Sequence, residues 1–205
     1  MTLGPVMVDL QGVALEPDER EMLAHPQVGS VILFTRNYEN PEQLRRLVAE
    51  IHAIRTPALL VAVDHEGGRV QRFQAGFTRL PPMREVGRRY GASHADGIAL
   101  ARQLGWLMAV ELRTVGVDLS FAPCVDIDYG VSRAIGDRAL HADAAAVCEL
   151  AVAYMLGMRE GGMAATAKHF PGHGAVAADS HVALPVDRRE WPDIEADLRP
   201  YRRMM

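Results

Sequence analysis

Residues 164–181 read AATAKHFPGHGAVAADSH. The stretch begins as an apolar run typical of a buried strand and ends abruptly in Lys168-His169. A Pro-Gly-His-Gly turn follows, and a loop of small residues leads to Asp179-Ser180-His181. Three of the chain's eight histidines lie here, with one lysine and one aspartate. Because packing alone does not require this density of titratable groups, we interpret the stretch as part of a functional site.

The same change from an apolar strand to polar side chains recurs earlier in the chain. Apolar runs at residues 4–10, 29–34, 59–63 and 119–125 end at or near Asp9, Arg36-Asn37, Asp64 and Asp126. Helical patterns separate the runs and begin at Pro17, at Asn40-Pro41, near residue 95 and at Asp143. This repeated β-α order, with strands apolar on both faces, predicts an α/β fold in which helices cover a parallel sheet.

Two architectures fit this order, an open doubly wound sheet and a (β/α)8 TIM barrel. In a barrel the polar residues after the strands converge on one mouth, where barrel enzymes place their chemistry. The open sheet is weakened because no GxGxxG or P-loop follows any strand. Five strands do not close an eight-stranded barrel. We therefore expect residues 1–205 to be a single barrel domain with about the first five βα units, truncated at the C-terminus, unless the barrel interpretation is wrong.

Two further segments have their own expected structure. The connection over residues 65–93 is long enough to contain elements of its own. Residues 190–205 are charged and should be helical, with interruptions at Pro192 and Pro200.

Composition excludes several classes of function. The chain has 205 residues, of which 49% are hydrophobic, and a net charge of -4, which gives no reason to expect nucleic acid or an acidic membrane as a partner. Cys124 and Cys148 have no metal-ligand spacing and suggest reduced thiols in a cytosolic protein. No signal peptide or membrane-spanning run is evident. We expect a cytoplasmic monomer without a cofactor.

The pair Asp179 and His181 has two interpretations. The functional one is an acid/base dyad, because a carboxylate beside an imidazole favours its charged form and selects which nitrogen carries the proton. The alternative is an Asx-type turn with a solvated histidine.

The charged residues after the strands also have two interpretations each. Lys168-His169 could direct donors at a polar ligand, or Lys168 could reach solvent from the strand end. In DHEGGRVQR, residues 64–72, the glycines allow a ligand to approach the backbone and Arg72 could bind hydroxyl or carboxylate oxygens. The alternative is an ion-paired loop, and Arg138 has the same two interpretations.

A metal site is disfavoured by the sequence. His169 and His173 are four residues apart, but Pro171-Gly172 lie between them and prevent the helix that this spacing requires. No third ligand is evident, so we expect no metal.

Together these residues resemble a known family. KHFPGHG followed by DSH, with VDHEGGRVQRF and LFTRNY upstream, closely resembles the bacterial β-N-acetylglucosaminidases (β-hexosaminidases) of glycoside hydrolase family three. The resemblance extends over nearly the whole chain, from GPVMVDLQG onward.

The resemblance implies a (β/α)8 barrel and retaining removal of terminal β-linked N-acetylglucosamine from peptidoglycan fragments that carry anhydro-N-acetylmuramic acid. It implies that His181 is the general acid/base and Asp179 its partner. It also implies that the sugar's hydroxyls and N-acetyl group are contacted by Asp64, Arg72, Arg138, Lys168 and His169.

The chain departs from the family pattern in three places. Family members usually have Gln where this chain has His65, and a Gly-Glu-Arg-Ser-like turn where it has Gly136-Asp137-Arg138-Ala139. The family's nucleophilic Asp lies in a Ser-Asp-Asp motif after a later strand, and no such motif occurs in these 205 residues. Retaining hydrolysis requires that nucleophile, so we expect this chain alone to be inactive or unstable, or to be a sugar-binding fragment.

Overall fold

The structure is a computed structural model that describes residues 3–179 and 182–205. Four strands form a parallel sheet in the order β1 (Val6–Asp9), β2 (Val28–Leu33), β3 (Leu60–Val63) and β6 (Leu119–Ser120). The segment at residues 164–168 continues the sheet, because Cys124 and Lys168 form a parallel bridge and Val125 N donates to Lys168 O at 2.8 Å. The five parallel segments expected from the sequence are therefore present, although the last is a bridge and not a regular strand.

The order of these segments distinguishes the two expected architectures. Each parallel segment pairs with the next one along the chain, and the order never reverses. A doubly wound sheet reverses its strand order at the switch point, whereas a barrel adds strands in one direction. The described part of the sheet therefore has barrel order.

The described residues form six α-helices: α1 (Pro17–Ala24), α2 (Pro41–Ala53), α3 (Met83–Ala92), α4 (His94–Thr114), α5 (Ala144–Glu160) and α6 (Trp191–Met204). Helix α2 begins where the sequence predicts, with Pro41 in its first turn and the Asn40 side chain accepting from Gln43 N at 2.9 Å. Within the part of the chain that the structure describes, no helix is both long and apolar enough to cross a bilayer.

The connection after β3 contains structure of its own, as expected. The hairpin of β4 (His65–Gly67) and β5 (Val70–Gln71) comes first, and α3 follows it. The hairpin turn lies against residues 80–82, since Gly68 N donates to Leu80 O at 2.9 Å. A Cβ added at Gly67, where φ is 109°, would lie 2.6 Å from Pro81 O, so this approach requires glycine.

The expected interruption of the last helix is wrong. Helix α6 continues through Pro200 to Met204. Pro192 lies in the first turn, where the missing N–H would have had no helical partner.

The core lies between the sheet and the helices and is a continuous cluster of buried aliphatic and aromatic side chains. Helices α4 and α5 approach so closely that two glycines are required at their contact. A Cβ at Gly105 would lie 2.2 Å from Tyr154 O, and one at Gly157 would lie 1.9 Å from Arg102 O. This packing fixes the position of α5, and residues 164–169 follow α5 along the chain.

Candidate active site

A cavity of about 550 Å³ lies at the carboxyl ends of the parallel segments. Six of the seven residues proposed from the sequence line it: Asp64, Arg72, Arg138, Lys168, His169 and Asp179. The chain brings them from four separate regions, so residues distant in sequence meet at one place, whereas the strand-end residues Asp9 and Arg36 line a different pocket. The seventh residue, His181, lies outside the described residues.

Lys168 is held by two carboxylates. Its Nζ lies 2.6 Å from Asp64 Oδ1 and 2.6 Å from Glu66 Oε1. Only 14% of its side chain is exposed, so Lys168 does not extend into solvent as one interpretation of the sequence had it. It lies at the wall of the cavity with its charge compensated.

Arg138 is held by the same Glu66. Its Nε and Nη2 donate to the two Glu66 oxygens at 2.9 and 2.8 Å, the bidentate geometry that guanidinium and carboxylate groups favour. Burial alone would raise the pKa of Glu66, but the hydrogen bonds and charges of Arg138 and Lys168 outweigh burial and lower it. Glu66 is therefore a buried anion between two cations.

His169 is oriented from both sides of its ring. Its Nδ1 lies 2.6 Å from Asp126 Oδ2, and its Nε2 lies 3.2 Å from Arg138 Nη2. Arginine has donors only, so Nε2 must accept and the ring proton must lie on Nδ1, where it is donated to Asp126. Asp126 is fully buried, which alone would raise its pKa, but the hydrogen bonds from the His169 ring and the His173 N–H outweigh burial and lower the pKa of Asp126.

Arg72 is the least satisfied cation at the cavity. Its Nη2 is 3.7 Å from Asp64 Oδ2, and its guanidinium lies 5.8 Å from the centre of the Phe34 ring. Its Nε is buried and has no hydrogen-bond partner among the described residues. A buried donor without a partner is costly, so the Arg72 side chain is the least stabilised of the cations described at the cavity.

Sequence reasoning assigned no role to two residues of this network, Glu66 and Asp126. Asp64 and Glu66 are two apart in extended backbone, so their side chains lie on the same face. That spacing in the motif DHEGG was the available signal for Glu66. For Asp126 the signal was its position at a strand end beside the expected mouth of the barrel.

One group of donors in the described ranges could hold a metal ion: Cys124, Asp126 and His169, with ligand atoms within 4.8 Å of one another. Two of these residues already form a hydrogen bond with each other, since Cys124 Sγ donates to Asp126 Oδ2 at 3.2 Å. Burial raises the pKa of the Cys124 thiol well above its usual value, which disfavours the thiolate that ligation requires. His173, whose pairing with His169 the sequence disfavoured, is not in this group, and its Nδ1 lies 3.3 Å from Ser132 Oγ.

The two departures from the family pattern in residue type adjoin, in sequence, residues that line the cavity. Asp137 pairs at 3.2 Å with Arg69, which lines the cavity. His65 is buried under the wall, with its ring centre 5.7 Å from those of Phe73 and Phe77. Neither replaces a residue that lines the cavity.

Comparison with known families decides the relationship. Residues 5–205 match the family described as "Glycosyl hydrolase family 3 N terminal domain". The chain belongs to glycosyl hydrolase family 3. The resemblance drawn from KHFPGHG, DSH and DHEGGR is thus confirmed at the level of the family.

Relatives in the family are similar over the whole chain. A beta-hexosaminidase from Thioalkalivibrio sulfidiphilus is 60% identical over 205 residues, which is 100% of this chain and 59% of that protein. A beta-hexosaminidase from Thiobacillus denitrificans is 58% identical over 206 residues, covering 100% of this chain and 57% of that protein. The chain thus spans about three fifths of the length of these curated relatives.

Solved structures of the family have the same architecture. NagZ from Neisseria gonorrhoeae in complex with N-trifluoroacetyl-D-glucosamine is 48% identical and superposes with a TM-score of 0.97, covering 100% of this chain and 61% of that one. A family 3 beta-N-acetylglucosaminidase from a Paenibacillus strain is 32% identical with a TM-score of 0.89, covering 97% of this chain and 38% of that one. These matches support a partial (β/α)8 barrel over the described residues.

Proposed function

We propose that the whole protein to which this chain belongs is a retaining β-N-acetylhexosaminidase that removes terminal, non-reducing β-linked N-acetylglucosamine. The observation that supports this most directly is the convergence of Asp64, Arg72, Arg138, Lys168, His169 and Asp179 on one cavity. We also propose that residues 1–205 belong to one barrel domain.

The cavity has the groups that a sugar requires. Asp64 offers carboxylate oxygens to hydroxyl groups, and Arg72 lines the cavity with a guanidinium group that can donate to sugar oxygens. Lys168, Arg138 and His169 also line the cavity, with orientations set by Glu66 and Asp126. Such oriented, partly desolvated polar groups favour one pose of a polyhydroxylated ring.

Hydrolysis with retention proceeds in two steps. In the first, His181 as imidazolium donates its proton to the glycosidic oxygen, while a carboxylate nucleophile attacks C1 and the alcohol leaves. In the second, neutral His181 takes a proton from water, the water oxygen attacks C1, and the carboxylate is released. We assign Asp179 the role of stabilising the imidazolium of His181 through its negative charge. The family resemblance assigns the nucleophile to a Ser-Asp-Asp motif that these 205 residues do not contain.

We propose as natural substrates peptidoglycan fragments in which N-acetylglucosamine is linked to anhydro-N-acetylmuramyl peptides. The protein would then act in cell-wall recycling, as a cytoplasmic monomer without a cofactor. The beta-hexosaminidase names of the relatives support the sugar specificity. The muramyl part rests on the motif resemblance.

The test is His181→Ala in the whole protein, measured as kcat/KM because this constant reports the first step. On a disaccharide with a poor leaving group we expect a loss of about 100-fold or more, the usual contribution of a general acid. On an aryl N-acetylglucosaminide the loss should be much smaller, since that leaving group hardly needs a proton. Exposed His25→Ala is the matched control. Equal losses on both substrates would remove the acid role from His181, and no turnover by the parent protein would refute the proposed activity.

A second candidate function is a module that binds N-acetylglucosamine without cleaving it, supported by Asp64, Arg72 and Lys168, which line the cavity. Calorimetric titration of the 205-residue chain with N-acetylglucosamine, alongside an aryl-glycoside assay, separates the two. Binding without turnover supports the module, whereas retaining turnover by the 205-residue chain refutes it.

A further inference from the structure

Glu66 has no part in the reaction steps, yet it lies at the centre of the sugar-facing charges. It lies on β4, in the hairpin whose glycine turn lies against residues 80–82. Only 3% of its side chain is exposed, so it offers a substrate almost no surface. Its position is determined by the hairpin and not by a mobile side chain, because the whole of β4 is buried.

Its two oxygens hold two cations at once. Glu66 Oε1 accepts from Lys168 Nζ at 2.6 Å and from Arg138 Nη2 at 2.8 Å, and Oε2 accepts from Arg138 Nε at 2.9 Å. Without this anion the two positive groups would repel one another across the cavity wall. Leaving a buried charge without its partner is strongly unfavourable.

After the hydrogen bonds among the described residues are counted, Lys168 and Arg138 each have one donor without an acceptor. Lys168 has three donors, and Asp64 and Glu66 accept two of them. Arg138 has five donors, and four are accepted by the two Glu66 oxygens, Ala134 O and His169 Nε2. Both side chains line the cavity. Lys168 and Arg138 therefore each keep one donor that has no acceptor among the described residues.

We infer that Glu66 is the positioning residue of the sugar site, a buried carboxylate that fixes Lys168 and Arg138 and, through Arg138, sets the hydrogen bond to His169 Nε2. The part of this inference that concerns sugar binding rests on the proposed function. The part that concerns His169 does not, because it is a property of the free protein.

Three variants of the whole protein test the inference. Glu66→Gln keeps the shape and removes the charge. Glu66→Asp keeps the charge and withdraws the carboxylate by one methylene. Glu19→Gln is the matched control, because Glu19 is also buried and accepts two backbone N–H groups at 2.8 and 3.0 Å, but at the start of α1.

The first readout is affinity for N-acetylglucosamine by calorimetry. We expect Glu66→Gln to weaken binding about tenfold or more, since hydrogen bonds to charged groups contribute that much. Glu66→Asp should lie between Glu66→Gln and the parent, and Glu19→Gln should bind like the parent. Parent-like binding by Glu66→Gln would overturn the inference.

The second readout requires no sugar. Nitrogen NMR signals of the His169 ring, assigned by their loss in His169→Gln, should show a protonated Nδ1 and an accepting Nε2 in the parent. In Glu66→Gln the Nε2 signal should shift, because Arg138 loses its anchor, while Nδ1 stays hydrogen-bonded to Asp126. An unchanged Nε2 signal would refute the inference.

The two readouts separate the possible failures. A parent protein that does not bind N-acetylglucosamine refutes the proposed function, and the His169 signals then decide the role of Glu66. If Glu66→Gln does not fold, Glu66→Asp is measured in the same two ways, and parent-like affinity with unchanged Nε2 would refute the inference.

Discussion

His65 makes the stability of this protein sensitive to mild acid. The residue is 1% exposed, its ring packs against Phe73 and Phe77, and its buried Nδ1 has no hydrogen-bond partner in the described ranges. Burial, and secondarily the charge of Arg72, lower the pKa of His65 from 6.5 to about 4. The folded protein therefore holds this imidazole neutral at a pH where the unfolded chain protonates it.

Proton linkage determines the direction in which stability changes with pH. Between pH 6.5 and pH 4 the unfolded state binds one more proton at this residue than the folded state, so acid favours unfolding. Stability is greatest above pH 6.5 and falls as the pH is lowered towards the folded pKa. At about 1.4 kcal/mol per pH unit, the loss from this residue is about 2 kcal/mol between pH 7 and pH 5, and about 3 kcal/mol at pH 4.

The variant is His65→Gln, which removes the titration. Urea unfolding of parent and variant should be measured at pH 7 and pH 5. Carboxylates that titrate in both proteins cancel when the two free energies of unfolding are subtracted. The stability advantage of the parent over the variant should fall by about 2 kcal/mol between the two pH values. The exposed His25→Gln should leave the pH dependence of the parent unchanged. A difference between parent and His65→Gln that does not change with pH would refute the reasoning.

Three further predictions concern packing, capping and the site. Gly157→Ala should destabilise the protein by about 2 kcal/mol or more in urea unfolding, because the new methyl would meet Arg102 O at 1.9 Å; a neutral effect would show that α4 and α5 can separate. Asn40→Ala should cost about 1 kcal/mol by loss of the α2 cap, and Asn40→Asp should restore it. Asp126→Asn should lower stability by about 3 kcal/mol and weaken N-acetylglucosamine binding, since it breaks the buried contact that orients His169; unchanged binding would contradict the orienting role.

The arrangement of elements was largely predictable because it depends on local patterns. The parallel runs, the start of α2 at Asn40-Pro41 and the end of α5 before Gly161 follow from apolar periodicity and from capping residues. Strand order was not predictable in this way. It depends on which strands pair across long connections, and the β4–β5 hairpin and α3 lie between two strands that are neighbours in the sheet.

For the site, residue type and position after a strand were sufficient to select six of the cavity-lining residues. The partners that orient them were harder to see. Asp126 and His169 are 43 residues apart, and Glu66 and Arg138 are 72 apart, so no spacing rule connects them.

The repeated order of apolar strands and helical patterns was enough to indicate a parallel α/β fold. The motifs at residues 33–38, 64–72 and 164–181 were enough to indicate the family and a set of candidate residues. Local composition can do this because strand runs, helix starts and catalytic loops are each written in a few consecutive residues. The state of each charged group required the assembled fold. Whether Lys168 reaches solvent or is held by two carboxylates, and which nitrogen of His169 carries the proton, depends on distances between distant segments and on burial. The stretch that ends in Lys168-His169 thus acquires its chemistry from Glu66, Asp126 and Arg138, which lie outside it.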